Sequence, residues 1–290
     1  MPNRRVLLAI TISLALAGLL VGVAPVEAAP QSNSLQAQES EPESGLNRNS
    51  DNIQTWNMCS GWHECPNDVP STATGDLLVY SVVVAAKKPR FIALQEVCRT
   101  IFDDMEDNLD DYNYDGNFRS SNDNADSDCD DHGNAVFWKG GCDAPCRYGN
   151  DYSIQVDSAG DERGYVCGTS DTLAFYGCST HLDVVPSNGN TSVTDLQQYY
   201  FRLHTNQARA FQITYGAGDF NLPPSANNNF AGWHGLYKEG NVCFCGSTSD
   251  SHGKIDYAWA GDNHCTRPYN SFISAVDESD HHVYRAYFNC

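Results

Sequence analysis

The stretch Gly218-Asp219-Phe220-Asn221 follows a short apolar run, residues 211–215, and two prolines come almost directly after it. Because proline cannot donate a ladder hydrogen bond, this pattern predicts a strand that ends here. Side chains alternate along a strand, so Asp219 and Asn221 point to the same side. A carboxylate and a carboxamide that share one small volume can hold a water molecule or a phosphate oxygen beside a metal ion.

Other predicted strands carry polar side chains that could complete such a site. Residues 53–57 alternate apolar and polar, residues 91–94 form a continuous apolar run, and residues 173–182 form a longer strand. Residues 254–259 and 283–288 alternate again. The polar residues in or beside these strands are Asn57, Glu96, His181, Asp256, Asp280 and His281.

Residues 134–138 and 164–167 predict two further strands, and Arg163 stands at the start of the second. Helical spacing is rarer. It occurs in residues 74–86, in residues 101–109 and in the stripe Leu196, Tyr200 and Leu203. Many short strands with few helices between them predict a mixed, mostly antiparallel sheet architecture.

The stretch from Asp103 to Asp131 is strongly acidic, with twelve acidic residues in twenty-nine. Such a run is typical of a solvated, mobile loop. Within it, alternate polar residues and a glycine match the first half of a calcium-binding loop. The closing glutamate is missing, because Asn122 occupies its place. The members of this candidate calcium loop are Asp111, Asn113, Asp115 and Asn117.

The first residues have the pattern of a secretory signal peptide, which we assign to residues 1–28. Arg4 and Arg5 precede an almost wholly apolar run over residues 6–24, and Val26-Glu27-Ala28 is a small-residue cleavage pattern. An uncleaved membrane anchor is the alternative, because the apolar run is nearly long enough to span a bilayer. The cleavage pattern and the polar remainder favour cleavage, so we expect a secreted protein.

Residues 29–52 are rich in Gln, Ser, Glu and Asn and cannot bury enough apolar surface to offset ordering entropy. They predict a flexible leader. Residues 53–290 contain no second linker and no internal repeat, so we expect one catalytic domain there.

Twelve cysteines in an exported chain predict disulfides rather than metal thiolates. Cys142 and Cys146 have the spacing of a zinc half-site, but no matching pair follows them. Neighbours such as Cys167 and Cys178 could pair locally, while the full connectivity stays open. Each bridge would stabilise the fold by about 3 kcal/mol.

The formal net charge of −20 argues against a tight, non-specific nucleic-acid binder. It leaves room for an enzyme in which bound cations and a few arginines form a local positive site. The sequence shows no basic patch and no exposed aromatic hairpin for a bilayer, so we expect no stable membrane insertion.

Six segments in order resemble the motifs of the endonuclease/exonuclease/phosphatase superfamily, the group of pancreatic-type deoxyribonuclease. They are Trp56-Asn57, Leu94-Gln95-Glu96, Ser179-Thr-His181-Leu182, Gly218-Asp-Phe-Asn221, Lys254-Ile-Asp256-Tyr257 and Ser279-Asp280-His281. The resemblance implies an α+β fold, a four-layered α/β/β/α sandwich of two mixed, mostly antiparallel sheets. It also implies phosphate-ester hydrolysis with the help of Mg²⁺ or Mn²⁺.

The resemblance further implies where the metal and the proton-transfer group lie. Glu96 resembles the principal metal ligand, with Asn57 and Asp280 near it. His281 resembles the general acid/base, held by Asp256. This agrees with elementary chemistry, because a hydrolase must neutralise the phosphate charge and move a proton at neutral pH.

Three further roles follow from the same resemblance. Asp219 and Asn221 resemble the pair that orients the attacking water. His181 resembles the second histidine, which stabilises the phosphorane-like transition state. Arg163 occupies a place where some members have a phosphate-contacting arginine.

The resulting expectation is a secreted, monomeric, magnesium-dependent endonuclease acting on DNA, with calcium as a candidate structural ion. RNA remains open as a substrate, and so does a phospholipid head group, as in sphingomyelinase-like or phosphoinositide-phosphatase relatives. A catalytically silent calcium-binding module is disfavoured. A silent module would be expected to lack at least one of the residues that catalysis requires. All four of these residues are present, namely Glu96, Asp219, Asp256 and His281.

Overall fold

The computed structural model describes residues 50–59, 88–121, 131–140, 147–148, 155–156, 162–170, 173–184, 194, 196–199, 201–202, 205, 213–223, 237–239, 247–250, 252–261, 265–274 and 279–290. The expected signal peptide, most of the leader, the helix over residues 74–86 and the Cys142/Cys146 pair lie outside these residues. No helix within the described ranges is long and apolar enough to cross a membrane.

Short strands make up most of the described chain, with helix α1 (Arg99–Asp110) between the second and third. In chain order the strands are β1 (Ser50–Asn57), β2 (Phe91–Cys98), β3 (Tyr114–Ser120), β4 (His132–Lys139), β5 (Arg147–Tyr148), β6 (Gln155–Val156), β7 (Glu162–Ser170), β8 (Phe175–His181), β9 (Ile213–Asp219), β10 (Tyr237–Glu239), β11 (Asp256–Gly261), β12 (Thr266–Ser274) and β13 (Val283–Asn289).

The strands form two mixed sheets. Sheet 1 has the order β12-β13-β1-β2-β4-β3, and sheet 2 has the order β10-β11-β9-β8-β7-β5, with β6 paired to β7. The pairs β1–β2 and β8–β9 are parallel, while the other described pairs are antiparallel. The sheets are therefore mixed and mostly antiparallel, as predicted.

Three apolar clusters define four layers. The central cluster joins the inner faces of the two sheets and includes Phe91, Trp138 and Tyr215. The second cluster packs α1 on the outer face of sheet 1, where the rings of Phe102 and Phe137 stack at 5.1 Å. The third packs helical residues within 194–205 on the outer face of sheet 2. This is the α/β/β/α sandwich implied by the resemblance.

Strand β1 begins inside the stretch assigned to the leader. Its first residues pair with the end of β13, Ser50 opposite Asn289 and Asp51 opposite Phe288. The polar composition of residues 50–52 gave no sign of a strand. Strands pair through backbone hydrogen bonds, which polar residues form as well as apolar ones.

The acidic stretch is not a mobile loop in its described part. Residues 99–110 form α1 and residues 114–120 form β3. The apolar residues of α1 recur at helical spacing and are buried, while the acidic residues between them face solvent or lie near the surface. The loop prediction was wrong here because acidic residues were counted without regard to which helix face they occupy.

The candidate calcium loop does not have the conformation of such a loop. Asp111 and Asn113 lie in an exposed turn, whereas Asp115 and Asn117 belong to β3. Asn117 is buried, and its Nδ2 donates a hydrogen bond to Cys167 O in sheet 2 at 2.9 Å. A calcium loop must wrap its side chains around one ion, and an extended strand prevents this.

The helical stripe predicted at Leu196, Tyr200 and Leu203 is wrong at Leu196, the one member that the structure describes. Leu196 is exposed, while Gln197, Gln198 and Phe201 are buried. Among the described residues of this segment, the buried face therefore carries Gln197, Gln198 and Phe201. The buried Gln197 side chain has a hydrogen-bond partner, since its Oε1 accepts from Asp183 N at 2.7 Å.

Two disulfides join described cysteines. Cys167 and Cys178 are direct register partners on β7 and β8, so the expected local pair is confirmed. The other bridge ties Cys265, just before β12, to Cys290 at the end of the chain.

Candidate active site

Residues expected to form the site lie together at one end of the two sheets. Because β1 and β2 are parallel, Asn57 and Glu96 reach the same edge of sheet 1. His181 and Asp219 end the parallel strands β8 and β9 and are register partners. Asp256 begins β11, which is antiparallel to β9, and so it stands opposite Asp219.

Gly218 allows β9 to approach β8 closely at this end. Its φ is +148°, and a Cβ built on it would lie 1.9 Å from Thr180 O, so no side chain fits. The chain then turns sharply. Asp219 Oδ1 accepts a hydrogen bond from Asn221 N at 2.8 Å, which supports the left-handed φ of +50° at Asn221.

A β-bulge in β2 presents Glu96 to the site. The register with β4 shifts between Leu94 and Val97, and Glu96 has a φ of +52°. Gln95 remains buried, and its Nε2 donates to Ser179 Oγ across the sheets at 2.8 Å. Left-handed φ at a residue other than glycine costs about 1–3 kcal/mol, and such strain is concentrated at functional sites.

Asn57 connects carboxylates from the two sheets. Its Nδ2 donates to Glu96 Oε1 at 3.0 Å and to Asp219 Oδ2 at 3.2 Å. Its own Oδ1 accepts from Cys59 N at 3.0 Å, which fixes the amide. The Glu96 side chain is 16% exposed and that of Asp219 is 2% exposed. Glu96 is therefore the more accessible of the two carboxylates.

His281 forms a hydrogen-bonded pair with Asp256. The ring Nδ1 lies 3.0 Å from Asp256 Oδ2, and Nε2 lies 3.7 Å from Asp219 Oδ2. Burial lowers the pKa of His281, but the Asp256 and Asp219 carboxylates outweigh burial and raise the pKa to about 10. The neighbouring carboxylate of Asp280 acts in the same direction. A carboxylate on Nδ1 also fixes the orientation of the ring.

Asp219 is a carboxylate whose pKa lies well above its ordinary value. Burial raises its pKa to about 7. The His281 cation opposes this rise, while the Asp256 carboxylate adds to it. Hydrogen bonds from Asn221 N and the Asn57 side chain oppose it as well. Asp219 can therefore exchange a proton near neutral pH.

The Nδ1 atom of His181 contacts Arg163, whereas Nδ1 of His281 contacts a carboxylate. The distance from Arg163 Nη1 is 2.9 Å, and a guanidinium can only donate, so Nδ1 accepts. Burial lowers the pKa of His181 well below its ordinary value, and the positive charges of Arg163, His281 and His132 lower it further. The ring is therefore neutral and carries its proton on Nε2.

Asn221 lies on the other side of the His181 ring. Its Nδ2 donates to Leu182 O at 2.9 Å and lies 3.0 Å from His181 Nε2. With the ring proton on Nε2, both nitrogens are donors, so their approach is a contact and not a hydrogen bond. An oxyanion that accepts from both would satisfy them together, which suits a phosphate oxygen.

Side chains outside the predicted set hold the site in place. Ser279 Oγ accepts from His281 N at 3.0 Å, and Thr248 Oγ1 accepts from Asp256 N at 3.0 Å. Lys254 Nζ donates to Asp256 O at 2.8 Å. Lys254 and Ser279 stand in the motif segments already quoted, but only their contacts distinguish them from ordinary surface residues.

The donor set fits a hard divalent cation. Ligand atoms of Asp219, Asp256 and His281 all lie within 4.8 Å of one another, and Asn57 joins Asp219 to Glu96. Asp256 Oδ1 is buried and makes no hydrogen bond to any described residue. Carboxylate and amide oxygens are the ligands that Mg²⁺ and Mn²⁺ prefer, and a cation would offset the repulsion between these carboxylates.

This chain has the fold of solved endonuclease/exonuclease/phosphatase structures. One from Bacteroides vulgatus is 15% identical with a TM-score of 0.61, and the match covers 82% of this chain and 98% of that one. The human Nocturnin catalytic domain with bound sulfate is 16% identical with a TM-score of 0.62, over 83% and 95%. The Bacteroides thetaiotaomicron mannosyl-6-phosphatase is 13% identical with a TM-score of 0.55, over 82% and 99%. No protein-family model and no curated protein sequence matches the chain.

Proposed function

We propose that this chain is a secreted, divalent-metal-dependent phosphodiesterase that cleaves DNA as an endonuclease. One observation carries the proposal. The Asp256–His281 pair lies beside Asp219, and Asn57 links Asp219 to the more exposed Glu96. Proton-transfer groups and hard oxygen ligands thus converge on one small volume, on a fold shared with phosphatases and nucleases.

Hydrolysis joins a water oxygen to phosphorus and breaks the bond to the leaving alcohol oxygen. A divalent cation held by Glu96 and Asn57, with Asp280 as the further ligand that the resemblance implies, would neutralise the phosphate charge. Asp219 and Asn221 orient the water, since the turn between them is fixed by the hydrogen bond from Asn221 N to Asp219 Oδ1. The water proton passes to a site carboxylate or histidine, and the leaving oxygen takes up a proton from one of these groups to become the alcohol.

The two histidines have different tasks in this scheme. His281, held on Nδ1 by Asp256, transfers protons through Nε2. His181 stays neutral and, with the Asn221 amide, donates to a phosphate oxygen whose charge grows in the transition state. Arg163 holds Nδ1 of His181, and its remaining N–H groups can reach phosphate if the substrate extends to them.

DNA as the substrate rests on the resemblance of the ordered motifs to pancreatic-type deoxyribonuclease. A mannosyl-6-phosphatase has a similar fold, so the fold by itself does not select DNA as the substrate. RNA and phospholipid head groups are therefore the alternatives to be tested in parallel.

The test offers supercoiled plasmid, RNA, sphingomyelin and phosphoinositides to the purified protein, with magnesium, with manganese and with a chelator. We expect nicking of the plasmid that requires the metal and is lost in His281→Ala. Release of a lipid head group or phosphate without plasmid cleavage would keep the chemistry and overturn the substrate. Equal cleavage by His281→Ala would overturn the assignment of His281 as the proton-transfer group.

Secretion is tested separately. The signal-peptide pattern over residues 1–28 supports it. When the full sequence is expressed in a secreting host, we expect protein in the medium whose N-terminal sequence starts at Ala29. An intact N-terminus in the membrane fraction would support the anchor instead.

A further inference from the structure

Lys254 is a buried lysine next to the Asp256–His281 pair, with only 5% of its surface exposed. Its Nζ donates to Asp256 O at 2.8 Å. The same ammonium lies 4.5 Å from the ring centroid of Tyr257 and 4.0 Å from that of Tyr284. Burying an ammonium is costly because its hydration is lost, so lysine rarely occupies such a position without a specific role.

The contacts of Lys254 join the two sheets where the catalytic pair crosses between them. Asp256 begins β11 in sheet 2, while Tyr284 lies on β13 in sheet 1, three residues after His281. The hydrogen bond from His281 to Asp256 spans the same gap. The ammonium therefore contacts both elements whose separation sets the length of that hydrogen bond.

Side-chain hydrogen bonds hold the Asp256 backbone in addition to its pairing with Asp219 on β9. Thr248 Oγ1 accepts from its N–H at 3.0 Å, and Lys254 donates to its C=O at 2.8 Å. Tyr257, the next residue, donates through its hydroxyl to Leu222 O at 2.8 Å. The direction of the Asp256 carboxylate is thus set by a small network in which Lys254 supplies the charged member.

We propose that Lys254 is a positioning residue, which acts on the reaction through Asp256 and His281 and does not touch the substrate. This inference rests on the proposed function of His281 as the proton-transfer group. Without the ammonium, the start of β11 loses one of its contacts with β13, and the Asp256–His281 hydrogen bond loosens. Catalytic groups must be held to within about half an ångström, so a small movement reduces turnover.

The test compares Lys254→Met, which keeps the stem and removes the charge, with Lys254→Arg, which keeps the charge. Lys88→Met is the matched control, because Lys88 is exposed and precedes β2 at the end of the strand opposite Glu96. We expect Lys254→Met to lower kcat about tenfold or more with KM changed less than about twofold. Lys254→Arg should recover most of the kcat, and Lys88→Met should change neither constant.

A double-mutant cycle separates positioning from general damage. In a His281→Ala background, Lys254→Met should lower kcat no further, because the two residues act as one unit. Losses that multiply in the double variant would overturn the proposal.

Proton NMR supplies a readout that does not depend on activity. The Nδ1–H of His281, bonded to Asp256, should give a downfield signal in the wild type and in Lys254→Arg, and a shifted or broadened one in Lys254→Met. An unchanged signal in Lys254→Met would overturn the proposal. If His281→Ala keeps full activity, the proposed function fails, while the NMR comparison still decides the role of Lys254. If Lys254→Met does not fold, Tyr284→Leu removes the ring next to the ammonium and is put to the same NMR test.

Discussion

Asp219 and Asp256 face each other across the antiparallel strands β9 and β11, and both are almost completely buried. Two carboxylates so placed repel each other in a poorly hydrated site. His281 relieves the repulsion, because Nδ1 lies 3.0 Å from Asp256 Oδ2 and Nε2 lies 3.7 Å from Asp219 Oδ2. The three side chains therefore form one electrostatic unit, and the following predictions concern that unit and its surroundings.

Removing the charge of Asp219 should change how stability depends on pH in the chelated protein. A group whose pKa is higher in the folded state stabilises the fold below its unfolded pKa, and this contribution is lost as the pH rises through the folded pKa. For Asp219 the pKa rises from 3.8 to about 7, so the loss falls in that interval. The free energy of unfolding of the wild type, minus that of Asp219→Asn, should fall as the pH rises from 4 to 7.

Urea unfolding at several pH values in chelator measures this difference. A difference that stays constant or grows with pH would contradict the assignment. Added magnesium should reduce the fall, because a bound cation stabilises the ionised carboxylates.

Removing the charge of Asp256 should lower the pKa of His281 from its value of about 10, because the Asp256 carboxylate is the largest influence that raises it. Burial, which acts in the opposite direction, then meets less opposition. An NMR titration of the His281 ring protons in Asp256→Asn would show the change. Asp250→Asn is the control, since it removes an exposed carboxylate that pairs with His282. Equal pKa values in both variants would mean that another group controls His281.

Replacing His281 by alanine should lower kcat by about 10²–10⁴-fold while leaving the fold intact, because the proton-transfer group is lost. His282→Ala is the matched control. His282 follows His281 directly in the sequence, but its Nε2 lies 3.3 Å from Asp250 Oδ1 and so pairs with a different carboxylate. Metal-dependent plasmid nicking, with circular dichroism as the check on folding, measures both. Similar losses in the two variants would point to disruption of the local chain.

Alanine at Gly218 should destabilise the fold by several kcal/mol, because the new Cβ would lie 1.9 Å from Thr180 O at a φ of +148°. Gly253→Ala is a sharp comparison. Gly253 also has a positive φ, of +75°, but no heavy atom lies within 4 Å of its built Cβ. We expect that variant to cost only about 1 kcal/mol from backbone strain. Urea unfolding of both variants would reveal the gap, and equal losses would show that φ alone matters.

Glu96→Gln should weaken the response to magnesium, because it removes the charge of the carboxylate that solvent reaches. The amide keeps an oxygen that can accept from Asn57 Nδ2, so the fold should be preserved. Binding to the native state raises the melting temperature, and the rise produced by magnesium should therefore shrink. Asp107→Asn, at an exposed position of α1, should respond like the wild type. An unaltered rise in Glu96→Gln would exclude Glu96 as a principal ligand.

Local patterns were sufficient to predict most described strands and to place the candidate site residues at strand ends. Apolar runs and alternation mark strands directly, and the polar residues at their ends, such as Asn57 and Asp219, stand out against them. The same kind of pattern predicted the helix within residues 101–109, since its apolar residues recur with the period of a helix. Acidic composition was a poorer guide, because charge says little about the backbone when the apolar residues lie on the opposite face.

Tertiary structure alone decided which groups meet. The sequence by itself determined that carboxylates, amides and histidines stand at strand ends, because backbone periodicity is encoded by neighbouring residues. It did not determine that Arg163 would hold His181, that a bulge would turn Glu96, or that Lys254 would join β11 to β13. Those contacts connect residues far apart in the chain, and their geometry depends on how two sheets pack face to face. That packing is the sum of many buried contacts, and no short stretch of sequence contains it.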